Sequence, residues 1–175
     1  MKTIIIMAES LDGSIAYDQN HSANWTSKED KKFFVEETKK AGVIIFGHNT
    51  FKTFGSKPLL GRLNIVLTRS QSDEDIDGLL EYKTIENPKK LLKELEDRGY
   101  DKVFIGGGSA INSVFLDNEL VDELWINIEP KIFGTGMRIL SDKKRDINLV
   151  LKSVNKSNQT VLLKYGVNYG SSDQK

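Results

Sequence analysis

The sequence predicts an α/β fold in which a mostly parallel central sheet carries helices on both faces and is closed by an antiparallel hairpin. Short apolar runs alternate with segments of helical periodicity along the chain, as expected for successive β–α–β units. Two of the apolar runs end directly in glycines, which is typical of strands that turn into helices. The last two runs are separated by a short polar stretch at 156–159, which predicts a hairpin turn.

Eight strands are predicted from short apolar runs bounded by polar residues, glycine or proline. In chain order they cover residues 4–8, 43–46, 63–67, 80–82, 102–105, 123–132, 149–154 and 160–167. A polar loop over 12–24 follows the first of them, and the polar segment 70–78 precedes the weak strand at 80–82.

Four helices are predicted between these strands. The first begins at Ser27, a typical N-cap residue, and runs to about residue 40. A short helix follows Gly47. Pro88 opens a third helix that continues to residue 97, before Gly99 stops it. The fourth covers residues 109–116 and directly follows three glycines.

Composition and charge narrow the functional classes. The 25 basic residues balance 25 acidic ones, so the basic excess of a nucleic-acid-binding protein is missing. There is no cysteine and there are two histidines, which argues against disulfides and a metal site; His21 is assigned to solvent. The apolar run at 4–8 is too short for a signal peptide or a membrane span. We therefore expect a cytoplasmic protein that acts on a small molecule, with one domain over residues 1–169 and a disordered tail at 170–175.

Glycines and backbone N–H groups are predicted where two strands end. Gly47 follows the run at 43–46, and residues 106–108 are three glycines between a strand and a helix. Glycine lets a ligand approach the backbone, and a helix start offers free N–H groups to a phosphate. The segment is not a dinucleotide fingerprint, because Ile111 stands where the last glycine is required. It fits either a pyrophosphate site or an ordinary tight turn.

The first helix carries a carboxylate close to an aromatic residue. Asp30 lies three residues after Ser27, where it could simply complete the N-terminal cap. Helical spacing also places Phe34 one turn beyond Asp30 on the same face. Such a pair suits a flat, amino-substituted heterocycle, which donates paired hydrogen bonds to the acid and packs on the ring.

Taken together, these segments resemble the dihydrofolate reductase superfamily over residues 4–167. In that family a Trp and an Asp stand five residues apart, as Trp25 and Asp30 do, and Phe34 follows with the same spacing. The resemblance implies a dihydrofolate reductase-like three-layer fold and NADPH-dependent reduction of 7,8-dihydrofolate. Hydride would pass to the C=N carbon, while Asp30, the expected catalytic residue, holds the pterin and supports protonation of the adjacent nitrogen.

The resemblance also assigns binding residues. The substrate residues are Ala8, Asp30, Phe34, Arg62, which would grip the α-carboxylate of folate, and Asn127, which stands where folate enzymes have a Thr bonded to the acid. The cofactor residues are Ala8, Ile15, Gly47, His48, Thr50, Leu67, Thr68, Arg69, Ile105, Gly107, Gly108, Ser109, Ala110 and Ile111. Among these, Ala8 and Ile15 would flank the nicotinamide, and Arg69 and His48 would take the place of cations near the 2′-phosphate. The loop 16–25 would be a mobile lid.

Two branches of the superfamily remain open. Four residues resemble dihydrofolate reductase itself: Trp25, Asp30, Phe34 and Arg62. Three segments resemble the reductase of riboflavin synthesis, which reduces a diaminopyrimidine ribosyl phosphate: residues 10–13, 120–124 and 130–134. Residues 54–58 replace the Asp-Asp-Pro loop usual in that second branch. The resemblance implies a monomer or a homodimer, depending on the branch. A dinucleotide-binding protein without catalysis is a third alternative, against which Asp30 speaks.

Overall fold

A computed structural model of the chain describes residues 1–69 and 75–170. The strands are β1 (Lys2–Ser10), β2 (Val43–Gly47), β3 (Leu63–Thr68), β4 (Leu80–Thr84), β5 (Lys102–Ile105), β6 (Glu123–Glu129), β7 (Asn148–Ser157) and β8 (Thr160–Asn168). The α-helices are α1 (Lys28–Ala41), α2 (His48–Thr53), α3 (Pro88–Asp97) and α4 (Ser109–Asp117), and a 3₁₀ turn covers Ala23–Trp25.

The strands form one sheet in the order β4-β3-β2-β5-β1-β6-β8-β7. The first six strands in this order, from β4 to β6, run parallel to one another. Strand β8 is antiparallel to β6, and β7 is antiparallel to β8. The predicted architecture, a mostly parallel sheet closed by an antiparallel hairpin, is therefore confirmed. The carboxyl ends of β1, β2, β3 and β5 meet at one edge of the sheet, where α/β folds place their ligands.

Helices cover both faces of the sheet, because its parallel strands are apolar on both sides. On one face, α3 and α4 contribute Leu91, Leu95 and Phe115 to a core with Ile5 and Ile105. On the other face, α1 and α2 contribute side chains to a second core. That core includes Ile4, Ile44, Phe46, Phe104 and Trp125 of the sheet, Ala41 of α1 and Phe51 of α2. These two apolar layers hold the strand ends that carry the site.

The helix boundaries follow local rules that the sequence already indicated. The Ser27 side chain accepts a hydrogen bond from the Asp30 N–H at 3.1 Å, so the predicted N-cap is confirmed. Gly42 ends α1 in the left-handed conformation with φ 75°. Asn87 caps α3, with Pro88 at its first position, and Gly99 follows the helix with φ +92°.

Three predicted boundaries were wrong. Strand β6 ends at Glu129 instead of residue 132, because Pro130 has no N–H to donate to a neighbouring strand. The final hairpin is longer than predicted, with a two-residue turn at 158–159 in which Asn158 has φ 55°. Strand β1 continues to Ser10, since its residues 4–10 pair with β6. The predicted tail at 170–175 and the polar segment at 70–78 fall partly on residues 171–175 and 70–74, outside the described residues.

Candidate active site

A cleft of about 1450 Å³ opens at the carboxyl edge of the parallel strands. Its floor comes from the ends of β1, β2 and β3 and from the glycines after β5. Helix α1 and the loop after α2 form one wall, and the start of α4 lies on the opposite side. The cleft is large enough for two ligands side by side.

The glycines let two strand ends approach each other closely. The Gly47 N–H donates to the Gly107 carbonyl at 2.8 Å, and the Gly106 N–H donates to the Ile45 carbonyl at 2.8 Å. A Cβ atom at Gly47 would lie 2.9 Å from Ile111 Cγ1, a distance that side chains essentially never adopt. The peptide bond between Gly107 and Gly108 is cis. This part of the cleft therefore depends on bare backbone.

The start of α4 faces the cleft without a side-chain cap. Gly108 is its N-cap residue and supplies no side-chain hydrogen bond, so the first N–H groups of the helix remain available. The helix start is fixed from behind, because Asn112 Nδ2 donates to the Ile139 carbonyl at 2.9 Å and Ser109 Oγ donates to the Arg138 carbonyl. Free N–H groups at a rigid helix start favour a phosphate or another anion.

Polar side chains from α2 and β3 complete this half of the cleft. Thr50 and His48 lie on α2, and the His48 ring packs edge-on against Tyr82 at 6.4 Å. Arg69 directly follows β3; its side chain is exposed and lines the cleft. Within the described residues, Arg69 is in no ion pair. It is thus available to a negative ligand group.

The other half of the cleft is built around a half-buried carboxylate. Asp30 lies in the first turn of α1, and its Oδ1 accepts a hydrogen bond from Asn127 Nδ2 at 3.1 Å. Burial raises the pKa of Asp30, hydrogen bonds from Thr26 and Asn127 partly offset this, and the nearby Glu129 adds to the increase. Ala8 pairs with Asn127 in the β1–β6 register, which places Ala8 on the floor close to the acid. Asp30 can therefore hold or release a proton beside a bound ligand.

Apolar side chains surround the acid. Phe34 and Trp25 line the same part of the cleft as Asp30, and Leu59 closes it from the loop after α2. The predicted placement of Phe34 and Asp30 on one helix face agrees with this arrangement. A flat ring can lie between such walls with its polar edge toward the carboxylate.

Four aromatic rings form a cover beside the cleft, and two of them, His21 and Trp25, line it. Tyr17, His21 and Trp25 come from the loop 16–25, and Phe133 comes from the segment after β6; Tyr17 stacks on Phe133 at 4.2 Å. His21 Nδ1 accepts a hydrogen bond from the Tyr17 N–H at 3.1 Å. The assignment of His21 to solvent was wrong, because stacking buries part of a ring that composition alone could not place.

Asp12 connects this cover to β1. Its carboxylate accepts hydrogen bonds from Ser10 Oγ at 2.5 Å, from the Phe133 N–H at 3.1 Å and from the Gly134 N–H at 2.7 Å. These hydrogen bonds lower the pKa of Asp12 to about 2, and the one from Ser10 has the largest effect. The segments 10–13 and 130–134, distant in sequence, are thus one unit that supports the cover.

Most of the predicted site residues come together. Those that line the cleft are Ala8, Ile15, Asp30, Phe34, Gly47, His48, Thr50, Leu67, Thr68, Arg69, Gly108, Ser109, Ala110 and Ile111. Three others lie just behind the lining residues: Ile105, Gly107 and Asn127. Arg62 is not part of the lining.

Arg62 is buried, with 6% of its surface exposed. Its guanidinium donates to Thr38 Oγ1 and, at 3.3 Å, to the Leu60 carbonyl, while its Nε has no hydrogen-bond partner among the described residues. Burial lowers the pKa of this group.

Glu129, which was not predicted from the sequence, is 2% exposed and lies behind Asp30. Its Oε1 accepts hydrogen bonds from Ser27 Oγ at 2.8 Å and from Asn127 Nδ2 at 3.0 Å. The alternation of side chains along β6 could have indicated Glu129, because Trp125, Asn127 and Glu129 share one face of the strand. The cleft also contains two exposed lysines that were not predicted, Lys31 and Lys57.

Two further structural observations concern partners. Among residues 1–69 and 75–170, no group of three or more His, Asp or Glu side chains is arranged to hold a metal ion. No helix in the same part of the chain has the length and apolar character needed to cross a membrane.

Comparison with known proteins gives a consistent result. A profile of the RibD C-terminal domain family matches residues 2–163. A dihydrofolate reductase from Candida albicans is 26% identical over 132 residues, which are 70% of this chain and 66% of that enzyme. These matches confirm the predicted superfamily.

Solved structures show the same fold. A dihydrofolate reductase from Enterococcus faecalis complexed with NADP(H) superposes with a TM-score of 0.72 at 20% identity, covering 95% of this chain and 96% of that chain. The diaminohydroxyphosphoribosylaminopyrimidine deaminase/5-amino-6-(5-phosphoribosylamino)uracil reductase from Thermotoga maritima superposes with a TM-score of 0.76 at 20% identity. That match covers 95% of this chain and 56% of the Thermotoga chain.

Proposed function

The chain belongs to the RibD C-terminal domain family, and from this premise we propose that it is an NADPH-dependent reductase of an amino-substituted pterin or pyrimidine. One observation carries the proposal. The half-buried Asp30 and the uncapped, glycine-lined start of α4 open into the same cleft. A carboxylate for a heterocycle and an anion site for a dinucleotide are thus within one ligand-binding space.

The residues of the α4 side fit a dinucleotide phosphate. The N–H groups at Ser109 and Ala110 would face the pyrophosphate, and the Thr50 hydroxyl would lie beside it. A Cβ at Gly108 would lie 3.3 Å from Thr50 Oγ1, so the lack of a side chain at Gly108 leaves this surface open to a ligand. Arg69 would provide the positive charge for a 2′-phosphate. When bound, NADPH supplies the hydride; the protein supplies its position.

Asp30 would both orient the substrate and assist proton transfer. A carboxylate accepts two parallel hydrogen bonds from an amino group and a neighbouring ring nitrogen. Because burial raises its pKa, the same group holds a proton at a higher pH than a solvated Asp does. Phe34 and Trp25 exclude water from the ring and keep it parallel to the cleft walls.

Dihydrofolate is the substrate that we place first. Its pterin has the amino-substituted edge that Asp30 can bind, and Asp30, Phe34 and Trp25 line one part of the cleft. The buried state of Arg62 does not contribute to this choice, since its guanidinium is bonded to Thr38.

A ribosylaminopyrimidine phosphate is the second candidate. Lys31 and Lys57 are exposed in the Asp30 half of the cleft, where they could bind a substrate phosphate. The contact between Asp12 and the Phe133–Gly134 backbone also joins two of the three segments that resemble the riboflavin enzyme.

Two measurements test the proposal in sequence. NADPH binding is followed by fluorescence titration, and NADPH oxidation is then measured with dihydrofolate and with the ribosylaminopyrimidine phosphate. Turnover of dihydrofolate supports the first substrate, and turnover of the phosphate alone supports the second. NADPH binding without turnover of either would instead support a non-catalytic dinucleotide-binding protein. Absence of NADPH binding would overturn the cofactor assignment.

A further inference from the structure

Glu129 is a buried carboxylate with no cationic partner in the part of the chain that the structure describes. It is 2% exposed, and within the described residues it is in no ion pair with Lys or Arg. Buried carboxylates are normally paired with a cation or held by several hydrogen bonds, because desolvation of an isolated charge is very costly. Glu123 on the same strand shows the ordinary solution, since Lys2 and Lys152 both contact it at 2.8 Å.

The hydrogen bonds of Glu129 lead directly to Asp30. Asn127 Nδ2 donates to Glu129 Oε1 at 3.0 Å and to Asp30 Oδ1 at 3.1 Å. A single amide nitrogen therefore connects two carboxylates. Ser27 makes a second connection, because its Oγ donates to Glu129 Oε1 at 2.8 Å and accepts from the Asp30 N–H at 3.1 Å.

We infer that Glu129 is a positioning residue for Asp30, which fixes the acid through Asn127 and favours its protonated form by adding a second negative charge. This inference rests on the proposed function, in which Asp30 meets the substrate. Two hydrogen bonds of about 3 Å to one nitrogen keep the carboxylates within roughly 6 Å of each other. At that distance like charges disfavour simultaneous ionisation.

No other charged group forms a direct ion pair with Asp30 in residues 1–69 and 75–170. On α1 the neighbours are Glu29 and Lys31, and Lys31 Nζ donates to the Asn24 carbonyl at 3.1 Å. On β8 the neighbour is Lys164, whose Nζ lies 3.5 Å from the centre of the Trp125 ring. Burial is the largest cause of the raised pKa of Asp30. The charge of Glu129 acts in the same direction, while the hydrogen bonds from Thr26 and Asn127 and the charge of Lys31 lower the pKa.

A second opening gives Asp30 contact with water on the side away from the large cleft. A pocket of about 360 Å³ lies between α1 and the β6–β8–β7 part of the sheet, and Asp30 lines both spaces. Its other walls include the neutral side chains of Asn155, Ser157 and Thr160. Asp30 can therefore exchange protons with solvent while a ring occupies the large cleft, so its proton affinity is functionally relevant.

Glu129→Gln is a clean test, because both hydrogen bonds to Glu129 end on the same oxygen. A glutamine carbonyl can accept from Ser27 and Asn127 in the same positions, so the substitution removes the charge and keeps the contacts. The Asp30 carboxyl is titrated by ¹³C NMR in unliganded protein, with Asp30→Asn used to assign its signal. We expect the apparent pKa of Asp30 to fall by about one unit in Glu129→Gln.

Two further variants separate charge from shape and distance. Glu129→Asp keeps the charge, so the Asp30 titration should stay close to that of the parent protein. Glu123→Gln removes another buried charge from the same strand and face, and should leave the Asp30 titration unchanged. The inference is overturned if Glu129→Gln titrates like the parent, or if Glu129→Asp lowers the Asp30 pKa equally.

The NMR readout does not depend on turnover. If reduction is also observed, the acidic limb of the kcat/KM pH profile should shift to lower pH in Glu129→Gln, by the same amount as the Asp30 titration. If the Asp30 titration shifts in Glu129→Gln but the parent protein reduces neither substrate, the proposed function is rejected and the coupling between Glu129 and Asp30 stands. Reduction with an unshifted titration would reject the role of Glu129 and keep the function.

Discussion

Replacing Asp30 by Asn tests the centre of the site with little structural disturbance. The amide has the shape of the carboxyl group, and its oxygen can still accept the hydrogen bond that Asn127 Nδ2 donates at 3.1 Å. What disappears is the negative charge and the ability to exchange a proton. Asp30→Asn should therefore reduce catalysis while leaving the α4 side of the cleft intact.

The size of the effect follows from two losses. A hydrogen bond to a charged group is worth about 1.5–3 kcal/mol, and each 1.4 kcal/mol changes a rate or binding constant about tenfold. Loss of a general acid or base lowers the rate by about 10²- to 10⁴-fold. Because the two effects overlap in one residue, we expect kcat/KM to fall by about 10²- to 10⁴-fold.

The assay combines steady-state NADPH oxidation with NADPH binding measured by calorimetry. The affinity for NADPH should be essentially unchanged, since Asp30 lies in the other half of the cleft. A variant that turns over at the parent rate would refute the assignment of Asp30 as the catalytic residue. A parallel loss of NADPH affinity would instead show that the substitution had disturbed the whole cleft.

The same variant should be more stable than the parent at neutral pH. Burial raises the folded-state pKa of Asp30 above its unfolded value, so its contribution to stability is greatest at low pH. That contribution is lost as the pH rises through the folded-state pKa. Asp30→Asn removes a charge that is costly to bury, and urea denaturation at pH 7 should detect the gain. If Asp30→Asn were only as stable as the parent or less stable, burial of the Asp30 charge would not be the cost that we infer.

Three further substitutions test other parts of the structure. Gly47→Ala would place a Cβ 2.9 Å from Ile111 Cγ1, and calorimetry should show a roughly tenfold loss of NADPH affinity from overpacking at the strand end. Arg69→Gln should weaken NADPH binding about tenfold and leave NADH binding unchanged, measured by fluorescence titration, because only NADPH carries the 2′-phosphate. For Glu123, burial alone would raise the pKa, but hydrogen bonds from Lys152, Lys2 and Trp125 lower it to about 2. Stability should therefore decrease as the pH falls from about 4.5 toward about 2, and urea denaturation of Glu123→Gln should show a smaller decrease.

Two of these substitutions have a matched control, and two have a stated outcome that would contradict the reasoning. Gly166→Ala also brings a Cβ close to a neighbour, but that neighbour is the flexible end of Lys152, and NADPH affinity should not change. Lys89→Gln removes an exposed charge from α3 and should leave the NADPH-to-NADH ratio as it is. An equal loss of affinity for both nucleotides in Arg69→Gln would exclude a contact with the 2′-phosphate. An unchanged acid dependence in Glu123→Gln would mean that other groups control that transition.

The elements of the fold could be predicted from the sequence because their signals are local. Apolar runs, the Ser27 cap, Pro88 and the glycines after strands act over a few residues, and the structure confirms the elements that they predict. The boundary errors arose where pairing decides the length. Strand β1 continues to Ser10 because β6 lies beside it, and β7 continues beyond residue 154 to Ser157 because β8 lies beside it.

The candidate site was only partly accessible in the same way. The closeness of Asp30 and Phe34 follows from helical spacing, and the parallel order of strands accounts for the meeting of Gly47 with Gly107. Arg62 shows where prediction from the sequence fails. Its position in the chain does not reveal that the guanidinium bonds to Thr38 and does not line the cleft. His21 shows the same limit, since its ring neighbours include Phe133, more than a hundred residues away.

The sequence by itself determined the alternating α/β architecture, the glycine-lined strand ends and the position of Asp30 on α1. These features depend on local propensity, side-chain periodicity and backbone freedom, all of which are written in neighbouring residues. Only the tertiary structure decided that Asn127 joins Asp30 to Glu129, that Asp12 holds the Phe133 segment, and that Arg62 is buried. Those contacts join residues up to about 120 positions apart, and their geometry is set by how the layers pack, which no local pattern contains.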